Sequence, residues 1–119
     1  MSTVLHGLGA KPDLVISKST GATTNWGVVN PTGNGMTSED YILHLNNTNA
    51  QSDTSGSGDI SAPTTTVYGT NYENGVNING ETFIAYIWRS VQGFSKVGGS
   101  YVGNGNADGV FVYTGFKPA

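Results

Sequence analysis

Apolar residues along this chain of 119 residues come in runs of two to six, separated by long polar stretches, and Asn25 to Val29 and Tyr41 to Leu45 alternate from residue to residue. That is the period of a half-buried strand, whereas a surface helix repeats its apolar positions every three to four residues. Leu14-Val15-Ile16 follows Lys11-Pro12 and ends in Ser17-Lys18-Ser19-Thr20-Gly21, which predicts a strand closed by a turn. Asn25 to Val29 predicts a second strand with Trp26 and Val28 on one face, before the breaker Asn30-Pro31-Thr32-Gly33-Asn34-Gly35. Tyr41, Leu43 and Leu45 alternate with Ile42 and His44 in a third. Residues 46 to 66 are polar apart from Ile60 and read as a long surface loop or an exposed edge. Val67-Tyr68 predicts a short strand, and Asn79-Gly80 a hairpin turn into Thr82 to Trp88. That last run is apolar on both faces and reads as a central strand covered on both sides. Tyr101-Val102 and Val110 to Thr114, joined by a Gly/Asn turn, complete the series.

Strands at this spacing predict one all-β domain over residues 1–119: an antiparallel β-sandwich, jelly-roll-like (concanavalin-like), without a substantial helix. Composition agrees. Gly supplies 18 residues, Thr 14, Asn 12 and Ser 11, leaving too few helix formers for a bundle. The 10% aromatic content, gathered in the apolar runs, argues against a disordered chain. Gly9-Ala10-Lys11-Pro12 recurs as Gly115-Phe116-Lys117-Pro118, which fits one unit of a repeat array with a strand position left for a neighbour.

Net charge is −3 with five scattered Lys and Arg, which excludes the basic stripe of a nucleic-acid binder and a polybasic membrane anchor. No apolar run approaches a membrane span, and Met1 to Gly7 has neither the basic start nor the apolar centre of a signal peptide. With no Cys, a thiolate nucleophile and a Cys-based zinc site are excluded. The eight carboxylates form no recognisable pair, neither His6 nor His44 has an evident partner, and Ser57 lacks a nucleophile elbow. An enzyme is not expected. Asn104, Asn106 and Asp108 before Gly109 repeat the first half of a calcium loop, but Gly115 stands where the completing glutamate belongs. One carboxylate makes a weak calcium site at best, and a plain turn explains the same residues; no other cofactor is expected.

The blocks Phe83 to Tyr86, Val91-Gln92-Gly93-Phe94-Ser95-Lys96, Ser100 to Gly109 and Phe111 to Pro118 carry a resemblance, as do His6 to Pro12 and Thr24-Asn25-Trp26. Together they resemble a domain of unknown function that occurs, often in tandem, in structural proteins of marine bacteriophages. The resemblance implies a module of a virion appendage such as a tail fibre, released from the host cytoplasm with the particle, and other virion subunits as partners. It supplies no catalytic residues. Trp88 and the Ser/Thr/Gly loop before Val67 depart from the pattern.

Aromatic faces stack on sugar rings while amides bond hydroxyls, so Trp26, Tyr68, Asn71 and Tyr72 are the candidate site for a host-surface glycan. Trp26 reads equally well as core, and Trp88 reads as core because its strand is apolar on both faces. Repetition along a fibre or a homo-oligomer would raise the avidity of weak sites. The alternative is a purely architectural spacer or capsid-decoration unit, which would carry an apolar patch or an open strand edge at its ends.

Overall fold

A computed structural model describes residues 2–31, 35–37, 41–54, 63–70 and 77–118. The described residues form seven strands: β1 (Ser2–Leu5), β2 (Leu14–Ser19), β3 (Gly27–Val29), β4 (Tyr41–His44), β5 (Ser52–Asp53), β6 (Val67–Thr70) and β7 (Phe83–Trp88). The described residues contain no helix, and the fold is all-β. Five strands form one antiparallel sheet in the order β5-β4-β3-β2-β7, while β1 and β6 form a separate antiparallel pair.

β2 organises the large sheet. It pairs with β3 through Val15↔Val29 and Ile16↔Val28, and with β7 through Leu14↔Trp88, Ile16↔Tyr86 and Lys18↔Ile84. Pro12, fully buried, ends the preceding segment, and Asp13 then fastens the start of β2 to the end of β7. Its N–H donates to the Trp88 carbonyl at 2.9 Å, and its carboxylate accepts the Ser90 N–H. Alternation along β2 turns Val15, Ser17 and Ser19 to the buried face. Val29 of β3 and Ile42 of β4 join Val15 there, with Ala85 and Ile87 of β7 packed against them. This core is small, and two of its positions on β2 are serines.

The sequence locates most of these strands, and β5 makes part of the polar loop an exposed edge, as the second of its two readings has it. β1 is a further strand; with only Val4 and Leu5 apolar it gives little alternation to read. The Asn79-Gly80 turn forms, with the Glu81 N–H donating to the Ile78 carbonyl at 3.1 Å. Gly80 alone is left-handed, at φ +81°, so this is a type II-like turn and not the doubly left-handed form that Asn-Gly favours in two-residue hairpins. Val76 of the expected first arm lies outside the described residues.

Two expectations are corrected. Phe83–Trp88 is not a central strand: β7 lies at the edge of the sheet, and Ile84, Tyr86 and Trp88 are open to solvent. Tyr101-Val102 and Val110 to Thr114 carry the residue pattern of strands but belong to no ladder among the described residues, and their side chains are largely exposed. Alternation reports which residues suit a strand, whereas the strand itself exists only beside a partner. The two Gly-x-Lys-Pro copies share a left-handed glycine, at φ +69° in Gly9 and +81° in Gly115, although Pro12 is buried and Pro118 exposed.

Candidate aromatic face

The register fixes what the solvent-facing side of the large sheet carries. Opposite the buried row, β7 presents Ile84, Tyr86 and Trp88, β2 presents Leu14, Ile16 and Lys18, and β4 presents Tyr41 and Leu43. β3 adds Val28, and two residues earlier the alternation brings Trp26 to the same side, its carbonyl accepting the Leu45 N–H at 3.2 Å. Trp26 is 37% exposed, Tyr86 42% and Trp88 43%. Tyr86 and Trp88, two residues apart on β7, hold their rings nearly parallel (19°) with centroids 6.2 Å apart. Trp88 is therefore part of an open surface and not of the core. Strand spacing makes this surface about 14 Å wide from β7 to β4 and about 13 Å long from Ile84 to Trp88.

Polar side chains around the face are held in place. The Trp26 N–H donates to Asn46 Oδ1 at 2.9 Å, and Asn46 Nδ2 donates to Asn25 Oδ1 at 2.9 Å, which knits the β3 and β4 loops together beside the indole. Lys18 Nζ donates to the Ser19 and Ala22 carbonyls at 2.8 and 3.3 Å, so its charge caps its own turn. The face is thus apolar and aromatic.

The other residues singled out from sequence fall elsewhere. Tyr68 lies on β6, paired with Val4 in the separate two-stranded sheet. Asn71 and Tyr72 lie outside the described residues. Of the four, Trp26 is the one placed on the aromatic face. Tyr86 was not singled out, and Trp88 was read as core; the Tyr-x-Trp spacing, which puts both rings on one side of a strand, was the available signal.

At the Gly/Asn turn, Asn104 Oδ1 accepts the Asn106 N–H at 3.1 Å and Asn104 Nδ2 donates to the Asp108 carbonyl at 2.9 Å. Asn104 thereby closes the turn on itself, as an Asx turn does. No group of three or more His, Cys, Asp or Glu among the described residues is placed to hold a metal. His6 is structural in its contacts: Nδ1 accepts the Leu8 N–H at 3.1 Å, which leaves Nε2–H to donate to the Thr64 carbonyl at 3.2 Å. His44 stands on the buried side of β4 opposite Gly27, and its Nε2 has no hydrogen-bond partner among the described residues. An open groove of about 570 Å³ lies between the Val91–Ser95 hairpin and Tyr113 to Phe116. Among the described residues no helix is long and apolar enough to cross a membrane.

Over residues 1–119 the chain matches the family described as a domain of unknown function, DUF7483. The chain belongs to that family. Neither a curated protein nor a solved structure matches it. What this DUF7483 member offers for a functional reading is therefore its own surface, and the aromatic face is the most developed feature on it.

Proposed function

We propose that this chain is a non-enzymatic module of a phage virion appendage that contacts the host surface, with glycan as its ligand. The observation that carries the ligand is the open aromatic face of Trp26, Tyr86 and Trp88, with the Tyr86 and Trp88 rings stacked on one strand. Sugar rings bury their C–H faces on such rings, and the dimensions of the face suit two or three sugar units. In this reading the five-stranded sheet is one layer of a jelly-roll-like sandwich, with Val15, Val29 and Ile42 facing inward. Binding at each copy is weak and gains strength from repetition on the particle. The virion setting rests on the sequence resemblance.

The test is a glycan array probed with the domain displayed multivalently, beside Trp88→Ala and Trp88→Phe. Selective binding that falls at least tenfold in Trp88→Ala and is partly retained in Trp88→Phe is the expected result. Absence of binding by a folded, multivalent wild-type sample would overturn it. A second reading, an architectural unit that binds neighbouring virion subunits, is favoured by one specific observation: β7 leaves a sheet edge open.

A further inference from the structure

β7 has a ladder partner, β2, on one side and none on the other among the described residues. The Thr20 N–H bonds the Thr82 carbonyl at 2.8 Å, and in an antiparallel ladder bonded pairs alternate. Lys18/Ile84, Ile16/Tyr86 and Leu14/Trp88 are then the bonded pairs, and the N–H and C=O groups of Phe83, Ala85 and Ile87 turn outward at the edge. This edge is six residues long, without Pro, Gly or charge, which is the kind that folded proteins ordinarily cover.

The chain also carries a strand-like segment without a ladder. Val110 to Tyr113 is apolar throughout, with Phe111 86% and Tyr113 80% exposed. It lies past the end of β7, where Tyr113 to Phe116 face the Val91–Ser95 hairpin.

Charge fixes the direction in which edge and segment would meet. β7 is flanked by Glu81 and Arg89, the segment by Asp108 and Lys117, and none of the four has an ion-pair partner among the described residues. A parallel alignment sets like charges together at both ends. An antiparallel one with Val112 opposite Ala85 sets Asp108 opposite Arg89 and Lys117 opposite Gly80, one residue from Glu81. The same register places Phe111 beside Tyr86 and Tyr113 beside Ile84 on the aromatic face, and Val110 beside Ile87 on the buried side.

We propose that the open edge of β7 is completed by the Val110–Thr114 segment of a second copy of this chain, added antiparallel in that register. Adding a strand satisfies the outward main-chain groups and covers apolar surface in one step. It also widens the aromatic face by two rings. The proposal does not depend on the ligand of that face.

The chain has no cysteine, so the test has no background thiol. Ala85→Cys and Val112→Cys are prepared separately, mixed and oxidised, with Ser52→Cys on the opposite sheet edge as the control partner. The expected result is a mixed disulfide between Ala85→Cys and Val112→Cys, formed at least tenfold faster than either makes with Ser52→Cys. Light scattering of the wild type should give a multiple of 12.4 kDa that Val112→Pro returns to the monomer mass, since proline removes the N–H facing Ala85. A wild type that stays monomeric at every concentration, or a mixed disulfide no faster than the control, would overturn the proposal. So would a disulfide that forms only when both cysteines are in one chain. None of these readouts uses a glycan, so failure here leaves the glycan reading intact.

Discussion

Ser19 shows how much one small polar side chain carries in this protein. It is 3% exposed at the inner end of β2, and its Oγ accepts the Gly21 and Ala22 N–H groups at 3.2 and 3.0 Å while donating to Glu81 Oε2 at 3.3 Å. The hydroxyl thus closes the turn after β2 and ties it to the turn before β7. Ser19→Ala leaves two amides and a carboxylate short of a partner and is expected to cost about 1–3 kcal/mol, read as a lower urea midpoint with an unchanged slope. The local part of this was legible, because Ser-Thr-Gly after an apolar run marks a turn. The bond to Glu81, 62 residues away, was not, because no local pattern encodes a contact made by register. Trp88 fails in the same way. Its own strand is apolar on both faces, and whether a face is covered depends on what packs there, not on the residues of the strand.

At the scale of elements, turns carried the clearest signals, since turn residues answer to backbone geometry that is local by nature. Asn79-Gly80 turns the chain just ahead of β7, as its sequence predicts, with Gly80 in the left-handed region. Gly80→Ala is expected to cost about 1–2 kcal/mol, because a Cβ disfavours that conformation, and thermal unfolding followed by circular dichroism measures it. The strands were legible where the apolar run was long. β2, β3, β4, β6 and β7 fall on the runs that predict them, while β1 and the two-residue β5 have too few apolar residues to announce themselves. Position within a sheet is another matter. β7 reads as central and stands at the edge, and Val110 to Thr114 reads as a strand and has no ladder. Both departures have one physical content: apolar strand surface that the described residues do not cover.

The whole molecule rests on a narrow base, since among the described residues the buried hydrophobic cluster is Val15, Val29 and Ile42. Ile42→Ala is expected to cost 2–5 kcal/mol by transfer and cavity terms, a large share of the roughly 5–15 kcal/mol that holds a small domain together. If a second copy covers the β7 edge, the urea midpoint of this variant rises with protein concentration, which a dilution series detects. The aromatic face has the same dependence on the whole, because Trp26, just ahead of β3, and Tyr86 and Trp88 of β7 meet only through β2. By itself the sequence determined the all-β class, the places of most strands and turns, and the absence of a basic stripe, since period, turn chemistry and charge are properties of short stretches. Tertiary structure decided which faces are buried, which aromatics share a surface and which edge stays open. Those follow from register and strand order, which arise only when distant segments compete for the same neighbours.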